Sequence, residues 1–171
     1  ARSLERISER YMLDLSDVNV LSGVLAEEPI GDADCARLLH AVGEKNRHSL
    51  ETLCNELALS PLTKQRLLAL VSACGPLEQT LDEVKSLDLP QSSQDALAGL
   101  RRMSELLKVY GIQNVNLDFS VVNDMDYYNG LVFRGFVEGI PTGVLSGGRY
   151  DNLLCRMGKS GEAIGFAVYL D

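Results

Sequence analysis

The spacing of apolar residues changes between a helical block and a block of strands in this chain of 171 residues, and that change limits the folds open to it. Between residues 32 and 110 apolar residues recur every three or four positions, as at Leu38, Leu39 and Val42, which is typical of amphipathic helices. From Ile112 onward they alternate with polar residues, as in strands that bury one face. A block of helices beside a block of strands, without regular alternation of the two, predicts an α+β fold.

The segment before the helical block predicts a short strand followed by a helix. Apolar side chains at Tyr11, Leu13 and Leu15 alternate with polar ones, so they would share one face of a strand. Ser16 or Asp17 can then accept the free amide hydrogens at the start of a helix.

The helical block contains start and stop signals for about five helices. Ser60 and Pro61 are a strong start, since serine caps and proline tolerates the first helical position. Ser92 or Ser93 is the predicted cap of the longest helix, and Gly111 is its predicted stop. Short turns near Asp124 and at residues 139–141 then separate successive strands, which predicts antiparallel pairing between them.

Composition excludes several classes of protein. A hydrophobic fraction of 46% with 23% charged residues is that of a folded chain. A net charge of -8 without a Lys/Arg run argues against a domain that binds the phosphate backbone of a nucleic acid. The chain has neither an apolar run of roughly 20 residues nor a signal pattern, so we expect a cytoplasmic protein without a membrane span.

Cysteine and histidine usage gives no metal or disulfide signal. The four cysteines lack CxxC spacing and are expected to be reduced. His40 and His48 are eight residues apart, too far for paired zinc ligands, and we expect no metal. The chain starts without methionine and ends within an apolar run, so we expect it to be an internal part of a longer protein.

Glycine, tyrosine and charge are concentrated in two neighbouring segments. The first reads Asp-Tyr-Tyr-Asn-Gly at residues 126–130, and the second reads Ser-Gly-Gly-Arg-Tyr-Asp at 146–151. Adjacent strand residues point to opposite faces, so one of Tyr127 and Tyr128 can present its hydroxyl to a cavity, where it suits an imidazole. Both tyrosines could equally be ordinary strand residues.

The second segment predicts close approach of a ligand to the backbone. Gly147 and Gly148 would lie at a strand end with exposed amide donors. Arg149 could receive a carboxylate or phosphate, or it could form an internal ion pair with Asp151 or Asp126. The residues alone leave these alternatives open.

Taken together, the two segments resemble the histidine-specific motifs of a known family. Their order and spacing, followed by Ala-Ile-Gly-Phe-Ala at residues 163–167, are similar to those of histidyl-tRNA synthetase and its catalytically silent relatives, above all the regulatory subunits of ATP phosphoribosyltransferase. The resemblance implies part of a class II synthetase-like antiparallel sheet, built from residues 1–31 and 112–171, with an inserted all-helical subdomain at 32–111. It is strong from residue 121 onward and only architectural in the helical block.

The resemblance also implies a histidine site. Tyr128 would reach the imidazole, and Gly147, Gly148 and Tyr150 would line the bound amino acid. Tyr127 and Arg149 belong to the same motifs and complete the predicted ligand-binding set, while Arg149 with Asp151 would also hold the loop. L-histidine and the catalytic subunit of ATP phosphoribosyltransferase are the implied partners, within an oligomeric parent protein.

The chain departs from an active synthetase at one position. Where the family carries a catalytic arginine the sequence has Asn123, followed by Asp124. Loss of a preorganised cation where charge develops costs a few kcal/mol of transition-state stabilisation. We therefore expect no catalytic residue, no cofactor and no tRNA partner, and a regulatory role in histidine biosynthesis.

Two other hypotheses remain at this point. A divergent histidyl-tRNA synthetase would use ATP to activate histidine and charge tRNA. A synthetase-like paralogue would have a different ligand or partner.

Overall fold

The computed structural model describes residues 1–122 and 128–169, and within these ranges the chain folds into eight helices and six strands. The helices are α1 (Arg2–Ile7), α2 (Val18–Leu25), α3 (Asp32–Gly43), α4 (Arg47–Glu56), α5 (Pro61–Ser72), α6 (Leu77–Val84), α7 (Gln91–Val109) and α8 (Asp151–Arg156). The strands are β1 (Tyr11–Asp17), β2 (Cys74–Pro76), β3 (Val115–Asp118), β4 (Leu131–Val137), β5 (Leu145–Arg149) and β6 (Ile164–Val168). The predicted α+β class is confirmed.

The N-terminal strand and helix form as their sequence predicts. Tyr11, Leu13 and Leu15 are buried on one side of β1. Asp17 caps α2, since its carboxylate accepts a hydrogen bond of 2.9 Å from the backbone amide of Asn19.

The six strands form one mixed sheet in the order β2-β3-β1-β4-β5-β6. β4 pairs with β5, and β5 with β6, in the predicted antiparallel sense. The expected pairing of β3 with β4 is wrong, because β1 lies between them and runs parallel to β3. A parallel neighbour requires a long crossover, and helices α2 to α7 supply it. The turn predicted near Asp124 lies outside the described residues.

Helices cover one face of the sheet, which we call the helix face. Leu13, Leu15 and Leu117 point to this face and join α2 and α7 in the main hydrophobic core. Because strand residues alternate between faces, Asp14 and Arg134 point to the other side, the polar face. The polar face is the side on which a ligand would meet hydrogen-bonding groups.

The crossing of α2 and α7 depends on small residues. The helix α7 begins at Gln91 with Pro90 before it, so the predicted capping role of Ser92 or Ser93 is wrong. Ser93 is instead fully buried and donates a hydrogen bond of 2.8 Å to the carbonyl oxygen of Val20 in α2. A methyl group added at Gly23 would lie 2.4 Å from the Ser93 hydroxyl oxygen, so the helices meet closely there. The predicted stop at Gly111 is confirmed by its left-handed backbone, with a φ of 67°.

Three short elements were not predicted from the sequence. They are α1, α8 and β2, and each spans six residues or fewer. β2 lies within the predicted helical insertion and pairs with β3, so this edge of the sheet comes from the helical block. The division into a sheet core and an inserted subdomain stays a prediction.

Two absences concern the described residues only. No helix in residues 1–122 or 128–169 is long and apolar enough to span a membrane. In the same ranges, no three His, Cys, Asp or Glu side chains are grouped so that they could hold a metal ion. His40 and His48 are both exposed.

Candidate functional site

The glycine pair lies inside a strand that has neighbours on both sides. Gly147 and Gly148 are in β5, where Gly148 is opposite Val132 of β4 and opposite Gly165 of β6. Both glycines lie in the last three residues of β5, as the predicted strand end requires, but neighbouring strands pair with them on both sides, so the prediction of exposed amide donors is wrong. Exposed amide donors therefore do not explain why residues 147 and 148 are glycines.

The glycines make room for two tyrosine rings on the polar face. A methyl group at Gly148 would lie 2.6 Å from Cδ1 of Tyr128, and one at Gly165 would lie 3.1 Å from the hydroxyl oxygen of Tyr150. Gly148 and Gly165 are direct cross-strand partners, so the rings rest on neighbouring points of the sheet. Both tyrosines are half-buried. Two of the predicted ligand-binding side chains thus lie together on one surface.

Arg149 lies on the opposite face, because it is the next residue along β5. Its Nε donates to Oδ2 of Asp151 at 2.6 Å, and its Nη2 donates to Glu162 at 2.7 Å. The guanidinium borders a cleft of about 410 Å³ on the helix face, which Asp17 and Leu131 also line. This geometry fits the loop-holding role, and a ligand contact of Arg149 stays a prediction.

Asp151 joins three segments around the tyrosines. Its Oδ1 accepts a hydrogen bond of 2.8 Å from the amide of Ala163, and its Oδ2 accepts from Arg149 and, at 3.4 Å, from the side-chain amide of Asn129. The Ala163 amide, followed by Arg149, holds the pKa of the Asp151 carboxyl below its usual value. The start of β6, the end of β5 and the loop carrying Tyr128 are thereby fixed to one another.

A row of polar residues crosses the polar face next to the tyrosines. Asn116, Asp14, Arg134 and Ser146 are successive cross-strand partners on β3, β1, β4 and β5. Asn116 donates a hydrogen bond of 3.2 Å to Asp14, and Ser146 shares one of 2.8 Å with Tyr169. Burial, followed by repulsion from Asp118, raises the pKa of the Asp14 carboxyl. No sequence motif predicts this row, because its members are far apart in the chain and only the strand register brings them together.

Asp118 and Lys45 form an ion pair at the β3 end of the polar face. Lys45 Nζ lies 2.6 Å from Oδ2 of Asp118, whose Oδ1 accepts bonds of 3.0 and 2.7 Å from the amide and hydroxyl of Ser120. Burial raises the pKa of Asp118, but the bonds to Lys45 and Ser120 outweigh it and leave the pKa below the ordinary value.

Replacing Lys45 with methionine should lower the free energy of unfolding at pH 7 by about 1 kcal/mol, because Asp118 keeps its burial and loses its cation. In the unsubstituted protein, the stability that this carboxylate contributes is complete above its unfolded-state pKa, about 3.9. This stability is lost as the pH falls through the lower folded pKa. The difference in free energy of unfolding between Lys45→Met and the unsubstituted protein should therefore shrink below about pH 4.

Urea unfolding at pH 7 and at lower pH measures this difference. Lys108→Met is the matched control, because Lys108 pairs with Glu78 on the exposed surface and such pairs contribute little. Equal destabilisation by the two substitutions at pH 7 would contradict the role given to Asp118.

Two positions from the sequence prediction lie outside the described residues. They are Asn123, which stands where the family has its arginine, and Tyr127. Their roles stay predictions.

The sheet, with helices on one face and two tyrosines resting on glycines of the other, has the fold of the class II synthetase-like proteins. A solved structure from Bacillus halodurans, described as an ATP phosphoribosyltransferase regulatory subunit/histidyl-tRNA synthetase, superposes with a TM-score of 0.86 at 29% identity, over 98% of this chain and 44% of that one. The family model for histidyl-tRNA synthetase matches residues 2–171, and the chain belongs to that family.

Two further comparisons concern regulatory subunits and their complexes. A curated relative from Geobacter metallireducens, named ATP phosphoribosyltransferase regulatory subunit, is 34% identical over 93% of this chain and 37% of its own length. A solved ATP phosphoribosyltransferase (HisG:HisZ) complex from Thermotoga maritima shares the fold, with a TM-score of 0.70 at 19% identity over 99% of this chain and 58% of that one. The chain thus spans well under half the length of the curated relative.

Proposed function

We propose that this chain is part of a non-catalytic regulatory subunit that senses L-histidine and controls ATP phosphoribosyltransferase in histidine biosynthesis. The observation that carries the proposal is that similar curated proteins, at 34%, 29% and 33% identity, are named regulatory subunits of that enzyme. The catalytic subunit is the proposed protein partner, and the cytoplasm is the proposed location.

The ligand assignment is supported by the surface around Tyr128 and Tyr150. An imidazole needs a planar neighbour and a group that can both donate and accept a hydrogen bond, and a tyrosine offers both. The two half-buried rings rest on adjacent glycines, so their positions are set by the sheet. Asp151 fixes the loop behind them, which is the kind of supporting contact that a preorganised site needs.

The absence of catalysis is supported by Asn123. An uncharged amide there, beside Asp124, offers no cation to stabilise charge that develops at a reacting carboxylate and phosphate. The proposed subunit therefore needs no cofactor, and binding of histidine is its whole chemistry.

A divergent histidyl-tRNA synthetase is the second candidate, because the matching family model bears that description. The two candidates differ in one measurable reaction, histidine-dependent exchange of pyrophosphate into ATP. Exchange by the full-length protein would favour the synthetase and overturn the regulatory proposal.

Replacing Tyr128 with phenylalanine should weaken L-histidine binding by roughly threefold to tenfold, since one neutral hydrogen bond is lost while the ring remains. Titration calorimetry on the full-length protein measures the affinity. Tyr110→Phe is the control, because Tyr110 is an exposed tyrosine at the C-terminal end of α7. Unchanged affinity in Tyr128→Phe would remove this residue from the site, and no histidine binding by the parent would overturn the sensing function.

A further inference from the structure

The short helix α8 begins without a cap from its own N-cap residue. That residue is Tyr150, whose side chain makes no capping hydrogen bond. Capping residues have a short polar side chain that accepts a hydrogen bond from the backbone amide two or three positions later. The hydroxyl of a tyrosine lies at the far end of its ring, and the ring of Tyr150 rests on Gly165. The first amides of α8 therefore need an acceptor from elsewhere in the chain.

Asn129 supplies this acceptor from a different segment. The backbone amide of Asn152, two positions after Tyr150, donates a hydrogen bond of 3.3 Å to Oδ1 of Asn129. It is one of the two amides that an N-cap side chain normally bonds. At the other end of the same side chain, Nδ2 of Asn129 donates to Oδ2 of Asp151 at 3.4 Å. The side-chain amide of Asn129 is thus used both as an acceptor and as a donor.

Asn129 also links the two tyrosines that lie on the polar face. It directly follows Tyr128 in the chain. Its backbone amide donates a hydrogen bond of 2.8 Å to the carbonyl oxygen of Arg149, the residue before Tyr150. Asn129 therefore bonds to the chain on both sides of Tyr150, at positions 149, 151 and 152.

We propose that Asn129 is a positioning residue of the ligand site, which caps α8 in place of Tyr150 and so holds the rings of Tyr128 and Tyr150 at a fixed separation. The inference rests on the proposed histidine-sensing function. Asn129 acts through the two tyrosines and raises the fraction of molecules in which both rings are placed for binding. Asparagine suits this role, because aspartate would offer no donor to Asp151 and would add a second negative charge beside it.

Two substitutions of Asn129 separate its hydrogen bonds from its volume. Asn129→Leu keeps the volume and removes both side-chain bonds. In the full-length protein it should weaken L-histidine binding about threefold to tenfold in titration calorimetry, because a smaller fraction of molecules has the binding-competent arrangement. Asn129→Asp keeps an oxygen that can accept from the Asn152 amide, so it should bind L-histidine more tightly than Asn129→Leu. Equal affinities of these two variants would overturn the capping role.

Asn46→Leu is the matched control, since Asn46 is another asparagine whose side chain caps a helix. Its Oδ1 accepts a hydrogen bond of 3.0 Å from the amide of Ser49 at the start of α4, in the helical block. Loss of this cap should lower the urea midpoint and leave L-histidine affinity equal to that of the unsubstituted protein. If Asn46→Leu weakened L-histidine binding as much as Asn129→Leu, general loss of stability would explain both effects, and the positioning role would be overturned.

Hydrogen exchange tests the cap without a ligand. Exchange of the backbone amides of residues 151–156, followed by mass spectrometry of the full-length protein, should be faster in Asn129→Leu than in the unsubstituted protein. In Asn46→Leu it should be unchanged. Unchanged exchange in Asn129→Leu would overturn the capping role.

The remaining outcomes distinguish this inference from the proposed function. If Asn129→Leu exchanges faster but binds L-histidine as tightly as the unsubstituted protein, the cap is structural only. The positioning role is then overturned, and the sensing function stands. If the unsubstituted protein does not bind L-histidine, the sensing function fails and the positioning role fails with it.

Discussion

Replacing Gly147 with alanine is expected to lower the free energy of unfolding by about 3 kcal/mol, at the upper end of what an added core methyl group costs. The new methyl would lie 2.3 Å from the carbonyl oxygen of Gly165 and 2.7 Å from Cζ of Phe133 and Cβ of Phe166. The first of these atoms is backbone in a neighbouring strand, so it cannot move without breaking the pairing of β5 with β6. Thermal or urea unfolding measures the effect, and for a chain of this size about 3 kcal/mol corresponds to roughly 6–12 °C.

Gly99→Ala is the matched control for this substitution. Gly99 lies within α7, and the added methyl would have only the guanidinium of Arg102 nearby, at 3.9 Å. Alanine in a helix interior is favoured over glycine by about 0.5–1 kcal/mol, so this variant should gain stability by that amount. If both variants lost stability equally, the close approach of β5 and β6 would not be the reason for glycine at 147.

Local sequence signals determined several elements correctly. The alternation at Tyr11 and Leu13, the cap at Asp17 and the stop at Gly111 each depend on neighbours within a few residues, and all three appear in the structure. Such features are set by local sterics and hydrogen bonding, which the sequence contains in full.

The wrong predictions concern features that are determined by contacts between residues far apart in the chain. Ser93 has the chemistry of a helix cap, but it bonds to Val20, which is 73 residues away in the chain. β1 lies between β3 and β4, because the crossover places β3 on one edge of β1 while β4 pairs with the other edge. The short turns in the sequence do not predict this strand order. β2 is three residues long, too short to show a period.

The site was only partly predictable for the same reason. Tyr128, Gly148 and Tyr150 belong to contiguous motifs, and the structure brings them together on the polar face. The register of β1 against β4 places Asp14 beside Arg134, although the two residues are 120 positions apart in the chain. Strand register depends on the whole buried pattern of the sheet, so this pair could be recognised only in the folded chain.

Replacing Gly148 with alanine should have the largest effect on the proposed ligand site. The added methyl would lie 2.6 Å from Cδ1 of Tyr128 and 2.7 Å from the carbonyl oxygen of Leu131. The ring is the group that can yield, so Tyr128 should be displaced from the sheet, and we expect L-histidine affinity to fall by at least about 100-fold, or roughly 3 kcal/mol. Calorimetry gives the affinity, and urea unfolding gives the accompanying loss of stability.

Two comparisons test whether displacement of the Tyr128 ring causes the effects of Gly148→Ala. Gly165→Ala is the graded comparison, because its methyl would lie 3.1 Å from the ring and hydroxyl of Tyr150, and a small shift of that ring should lower L-histidine affinity much less than Gly148→Ala does. In a Tyr128→Ala background, Gly148→Ala should destabilise the fold by about 1 kcal/mol less than in the parent, since one of its two clashes is gone. If the loss of stability were the same in both backgrounds, the carbonyl of Leu131 alone would explain glycine at 148. Gly148 would then be required for the pairing of β5 with β4. The position of Tyr128 would be determined by its loop, which Asp151 holds through Asn129.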